Sequence, residues 1–237
     1  MAAAVDTRDR SESSLSSRLN RLRAGVLGAN DGIVSTAGLV FGVAGATSDR
    51  VALIIAGLAG VVAGALSMGG GEYVSVSSQR DMEIAVLARQ RRIAETDPDV
   101  LRDELRDYYL DQGLSADLAD KISADLGDEG ALKHHARTTM GLDSAEPVSP
   151  SAAAMASMGS FAAGAAIPLL AMVLAPHDIR LPLTLVAVWI ALLLTGYISA
   201  RLSSVGVGRP MMRNVVVGSL AMGLTYLVGT LVGTQLS

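Results

Sequence analysis

No cysteine occurs in the 237 residues, aromatic side chains make up 3% of them, and lysine appears twice beside 17 arginines. The first absence removes disulfide frameworks, thiolate metal sites, iron–sulfur clusters and cysteine nucleophiles together. The second leaves Trp189, two phenylalanines and five tyrosines, too few to define aromatic belts at a membrane surface. Charge is scarce in a patterned way. Of the 42 charged side chains, 25 fall within residues 79–146 (16 acidic, 9 basic) and eight more within the first 23 residues. Nine remain elsewhere, most of them at the edges of apolar runs. A soluble globule scatters charge along every surface element, so that class is excluded. The acidic block also argues against nucleic acid as a partner. No nucleophile–base pair or nucleotide motif is present, and the chain is read as no enzyme.

What is abundant is apolar sequence in long runs. Five segments reach the roughly 20 apolar residues that a spanning helix needs: about 24–46, 51–76, 152–175, 181–200 and 212–235. The first pair is joined by Thr47-Ser48-Asp49-Arg50, short enough to force a tight helical hairpin. Arg8, Arg10, Arg18, Arg21 and Arg23 precede the first run, and Arg201, Arg209 and Arg213 flank the loop between the fourth and fifth. The alternate loops carry only Arg50 and Arg180, each near an aspartate. Arginine bias therefore predicts a cytoplasmic N-terminus, a cytoplasmic 79–150 segment and a C-terminus outside. Ala44-Gly45-Ala46 resembles a signal-peptide cleavage site, but the preceding run is too long and carries Asp31, so a retained span is expected. Residues 1–23 are expected as a disordered cytoplasmic tail.

The middle segment reads as soluble helix. Nothing breaks the second run at Ser77-Ser78-Gln79-Arg80, so its helix is expected to continue to about Glu95. Asp97-Pro98 supplies an N-cap and a proline at the first helical position, with Gly113 as the stop. Ser115 caps a further helix ending at Gly127, and a fourth covers about Glu129 to Met140. The carboxylates here suit divalent cations, but charge runs are usually solvated faces. His134-His135 are about 100° apart on a helix and poorly placed to share one ion.

Two carboxylates lie inside the apolar runs: Asp31, about two turns into the first, and Glu72, at the cytoplasmic end of the second. A charged side chain near the bilayer centre costs roughly 2.5–3.5 kcal/mol even on the lenient insertion scale, so such residues mark functional paths. Met68 precedes Glu72 by one turn on the same face. A thioether beside carboxylates suits Fe²⁺-like transition metals better than Mg²⁺ or Ca²⁺. Gly69-Gly70-Gly71 between them is expected to weaken the helix and expose backbone carbonyls. Ser160, Thr195, Asn214 and Thr225 on the later runs are read chiefly as bonds between neighbouring helices.

The stretches Leu27-Gly28-Ala29-Asn30-Asp31-Gly32-Ile33-Val34-Ser35 with Gly38-Leu39-Val40, and Gly64-Ala65-Leu66-Ser67-Met68 with Gly71-Glu72-Tyr73-Val74-Ser75, resemble the vacuolar iron transporter family. The resemblance covers about residues 20–236. It implies an all-α membrane protein of five transmembrane helices, with a cytoplasmic three- to four-helix insert between the second and third. It implies a homodimer with a path between subunits, exporting Fe²⁺, often with Mn²⁺, in exchange for protons. Asp31 and Met68 fall on its positions for metal passage, and Glu72 on its entrance motif. Its glutamate cluster in the insert falls here on Gln90, Ile93, Leu101, Glu104 and Thr139, of which only Glu104 keeps a carboxylate. Asp103, Asp107 and Met140 lie nearby.

The expected organisation is therefore a tail (1–23), two spans (24–78), a cytoplasmic helical domain with its linker (79–150) and three spans (151–237). The metal residues are expected to be Asp31, Met68, Glu72 and Glu104. No resident cofactor is expected; Fe²⁺ or Mn²⁺ is the substrate, and the partners are metal ions, protons, the lipid bilayer and a second copy. Arginine-rich, alanine- and glycine-rich composition suggests a bacterial inner membrane. The alternatives are a non-transporting, metal-responsive scaffold and a carrier of another divalent cation.

Overall fold

Long runs of Leu, Val, Ala and Gly in hydrocarbon must satisfy their backbone groups internally, which leaves helix as the solution for a single segment. The structure, a computed structural model describing residues 2–125 and 149–236, is helical accordingly. Seven α-helices and no strand occur among the described residues: α1 (Ala2–Ala46), α2 (Arg50–Thr96), α3 (Pro98–Asp111), α4 (Ala116–Asp125), α5 (Pro150–Leu174), α6 (Arg180–Leu202) and α7 (Gly208–Leu236). A single 3-10 turn, His177–Ile179, precedes α6. Five of these helices are long and apolar enough to cross a membrane: the Gly25–Ala46 part of α1, then α2, α5, the turn with α6, and α7.

Three expectations need correction or restriction. Residues 2–23 were expected as a disordered tail and are instead the N-terminal part of α1. They contain no proline or glycine, and the alanines at 2–4 favour helix. Helix also continues unbroken through Gly69–Gly71, because an intact ladder on either side outweighs the roughly 1 kcal/mol that each glycine costs. The helix expected over Glu129–Met140, including His134, His135, Thr139 and Met140, lies outside the described residues.

The chain divides into two compact units, one of residues 1–73 with 151–237 and one of 74–150. In the first, contacts between helices give the direction of each span. Gly38, Gly42 and Gly45 of α1 meet Thr225 to Thr230 of α7 in the same order, so these two helices run parallel. Gly57 and Gly60 of α2 meet Val40 and Leu39 of α1 in reverse order, so α2 returns. Gly28 meets Ser160 and Gly32 meets Phe161 and Ala165, which sets α5 parallel to α1. Gly196 against Met211 and Gly218 against Leu192 make α6 antiparallel to α7. The core between them holds Ile33, Ala37, Val40, Leu53, Met172, Val188, Leu192 and Met222.

Two arginines lock the hairpin ends. Arg50 at the start of α2 donates to the carbonyl of Ala175, just past α5, at 2.8 Å. Arg180 at the start of α6 donates to the carbonyl of Ser48, just past α1, at 3.1 Å. Each satisfies a carbonyl left over at the end of a helix in the other hairpin. Asp49 Oδ1 meanwhile accepts from the Val51 amide at 2.9 Å and caps the start of α2.

In the second unit α3 starts at Pro98 after Asp97, although the Asp97 side chain makes no capping hydrogen bond. Gly113 follows α3 at φ +86°, the left-handed conformation in which a Cβ is costly. Helix α4 begins after Ser115, whose carbonyl accepts from the amides of Leu118 and Ala119. Leu105 and Ala119 are fully buried, and Arg106 of α3 pairs with Asp120 of α4.

Candidate functional site

The site is built on α1, the most buried of the spans. Of its apolar window 44% is buried, against 17% for α2 and α7. Glycines at 28, 32, 38 and 42 let neighbouring helices approach closely. At Gly32 an added Cβ would collide with the Phe161 carbonyl, and at Gly164 with the Ala29 carbonyl, so α1 and α5 cross backbone to backbone.

Against that buried background Asp31 is exposed. It belongs to a stripe at four-residue spacing with Leu27 and Ser35, all three exposed, which continues to Leu39 where α1 meets Gly60 of α2. The Ser35 hydroxyl donates to Asp31 Oδ1 at 3.1 Å. Ser35 stands in the motif but had no assigned role; its spacing of four from Asp31 is the signal that identifies the pair. Asn30, the neighbour of Asp31, points the other way. Its Oδ1 accepts from Thr195 Oγ1 of α6 at 3.2 Å, and Thr195 Oγ1 accepts from Asn214 Nδ2 of α7 at 3.5 Å. Thr195 and Asn214 thus bond between helices, the Thr195 hydroxyl being shared with the Leu192 carbonyl of its own helix at 3.1 Å, whereas Ser160 and Thr225 bond to carbonyls of their own helices.

Met68 and Glu72 are both half-buried on α2. The Met68 sulfur lies over Gly28 of α1, 3.6 Å from where a Cβ on that glycine would sit. Antiparallel packing then orders the polar groups along α1. Glu72 lies one turn beyond Met68 towards the N-terminal end of α1, Met68 is level with Gly28, and Asp31 and Ser35 follow. At 1.5 Å per residue this ladder extends about 15 Å. Carboxylate, thioether, carboxylate and hydroxyl thus follow one another in height at intervals of roughly a turn.

Glu104 is not part of that ladder. It is exposed on α3 in the other unit. Nearby Gln90 is buried and its Oε1 has no hydrogen-bond partner among the described residues. Among the described residues no group of three or more His, Asp or Glu side chains is placed to hold a metal ion. The charges of this unit pair with one another instead: Arg102 with Asp99 at 3.5 Å, Lys121 with Asp117 at 3.1 Å, and Arg106 with Asp120. The Asp120 hydrogen bond and charge push the Arg106 guanidinium above its usual value, and burial raises the Tyr109 phenol.

The VIT family model matches residues 22–230, which include both spans of the ladder. The chain belongs to the VIT family. Among VIT-family proteins it is 36% identical to the vacuolar iron transporter of Acanthamoeba castellanii over 211 residues, covering 89% of this chain and 78% of that one. It is 38% identical to vacuolar iron transporter homolog 1 of Oryza sativa subsp. japonica over 217 residues (91% and 75%). With vacuolar iron transporter homolog 3 of Arabidopsis thaliana the figures are 34% over 221 residues, covering 93% and 87%. This VIT-family chain is a multi-pass membrane protein.

Proposed function

We infer that the protein carries Fe²⁺, and Mn²⁺ with it, out of the cytosol in exchange for protons, along a path at the interface of a homodimer. The single observation that supports this reading is the outward face of Asp31. A carboxylate inside a span and turned away from its own protomer would lie against lipid, at a cost of several kcal/mol. A second copy packed along α1 and α2 removes that cost and closes a polar path between two such faces. The sparse burial of α2, whose exposed residues include the small Ala59, Ala63, Ser67 and Gly70, fits the same contact.

In this path Glu72 receives the ion at the cytoplasmic mouth, Met68 holds it through sulfur, and Asp31 exchanges metal for proton. A carboxylate neutralised alternately by a proton and a cation couples the two flows, because either one discharges the same buried group. The arginines before α1 and around the α6–α7 loop support an N-terminus in the cytoplasm and a C-terminus outside, and the arginine-, alanine- and glycine-rich composition suggests an inner membrane. Glu104 then binds cytosolic metal with low affinity, since one carboxylate supplies little of a divalent ion's coordination.

The test is flux in proteoliposomes. Wild-type protein should take up Fe²⁺ and Mn²⁺ and move protons oppositely, and Asp31→Asn should abolish both movements while dimers persist on cross-linking. Wild-type flux in the Asp31→Asn variant would overturn the mechanism. Good membrane expression with no flux in the wild type would favour a metal-responsive scaffold.

A further inference from the structure

Ser160 of α5 is brought to the polar ladder by an absent methyl group. A Cβ built on Gly28 would lie 2.9 Å from Ser160 Oγ and 3.6 Å from Met68 Sδ. Glycine at this position therefore leaves a notch on α1 with an oxygen on one wall and a sulfur on the other, contributed by two different helices. The Ser160 hydroxyl donates its proton down its own helix, to the Ala156 carbonyl at 2.8 Å, with the Ser157 carbonyl at 3.4 Å. A hydroxyl anchored in this way keeps its oxygen lone pairs for another partner. Ser160 and Met68 are both half-buried, with Met68 packed against the cluster of Ala65, Phe161 and Ala165 and Gly28 itself buried. Asp31 follows Gly28 by three residues, a rise of about 4.5 Å along α1.

We propose that Ser160 is a specificity-determining ligand for the transported cation, its hydroxyl oxygen and the Met68 sulfur forming a mixed hard–soft constriction over Gly28 between Glu72 and Asp31. This rests on the transport reading above and adds to it the group that sets the order of cations. An oxygen paired with a thioether accommodates borderline ions such as Fe²⁺ and Co²⁺ and still offers Mn²⁺ one hard donor. It disfavours Mg²⁺, which demands an octahedral oxygen shell and dehydrates reluctantly. Ser160 acts by touching the ion, so changing its donor atom changes selectivity rather than flux alone.

The experiment measures initial uptake of Mn²⁺, Fe²⁺, Co²⁺ and Cd²⁺, each alone, into liposomes containing the full-length chain, as wild type, Ser160→Ala and Ser160→Cys. Loss of the oxygen in Ser160→Ala should lower Mn²⁺ uptake relative to Co²⁺ by roughly tenfold, the scale of one contact to a charged group. The near-isosteric Ser160→Cys should raise Cd²⁺ relative to Mn²⁺ by a similar factor, and it keeps the proposal testable where the alanine variant is unstable. Uptake of all four ions in wild-type ratio by both variants, whether at full rate or uniformly reduced, overturns the assignment and leaves the transport reading standing. A wild-type protein that moves none of the four ions overturns both.

Discussion

Thr195 of α6 donates its hydroxyl to Asn30 of α1 at 3.2 Å, and Asn30 is the residue immediately before Asp31. Successive helical residues point about 100° apart. Tying Asn30 to the inside of the protomer therefore turns Asp31 out of it. Rotation of α1, and with it the direction of the carboxylate, is held by a hydrogen bond to a helix far away in sequence.

Replacing Thr195 by valine keeps the shape and removes the bond. We expect Thr195→Val to destabilise the protein by about 0.6 kcal/mol and at most about 1.7, the range measured for interhelical hydrogen bonds in a membrane protein. Metal flux should fall as Asp31 loses its fixed direction, and Thr195→Ser should restore it. Thermal unfolding in detergent and proteoliposome flux check the two effects.

Gly32 has no room for a side chain, since its Cβ would strike the Phe161 carbonyl and crowd the Ala165 amide. Gly32→Ala must push α1 and α5 apart, at a cost of about 1–3 kcal/mol typical of overpacking. Gly223→Ala on α7, with nothing within reach of an added Cβ, should leave stability within about 0.5 kcal/mol. Equal unfolding temperatures for the two variants would contradict the backbone crossing.

Arg180 is 7% exposed and donates to Ser48, whereas Arg50 is exposed and donates to Ala175. Losing the buried charge-assisted bond in Arg180→Gln should cost roughly 1.5–3 kcal/mol. Arg50→Gln should cost about 1 kcal/mol or less, because water replaces the lost donor. Chemical or thermal denaturation of the two variants, side by side, gives the comparison.

Gly113 holds φ +86° after α3 with nothing within reach of an added Cβ. Strain is then the sole penalty, and Gly113→Ala should destabilise residues 74–150 by about 1–2 kcal/mol. Hydrogen exchange in α3 should quicken while that of the membrane spans stays as it was.

How much was legible beforehand differs by residue. The five spans, the α2 continuation and the start of α3 at Pro98 follow from run length, the lack of a breaker and the geometry of proline, all local properties. Asp31, Met68 and Glu72 stood out because charge in an apolar run is rare and the motifs around it specific. The terminal tail misled because its polar composition signals poor burial, while helix needs only suitable local propensities and the absence of a breaker. The triple glycine misled because propensity is a weak force beside an intact helical ladder.

The sequence by itself determined that this chain carries five runs long and apolar enough to cross a membrane, resembles the VIT family and keeps its scarce in-span carboxylates at residues 31 and 72. Those properties are written in composition and in short spacings, which backbone hydrogen bonding and hydrocarbon translate directly. Only the tertiary structure decided that Asn30 turns inward and Asp31 outward, that Arg50 and Arg180 bond each other's hairpins, and that Ser160 meets Met68 over Gly28. Each of those joins residues on different helices, and their meeting is set by how closely glycine lets two backbones approach.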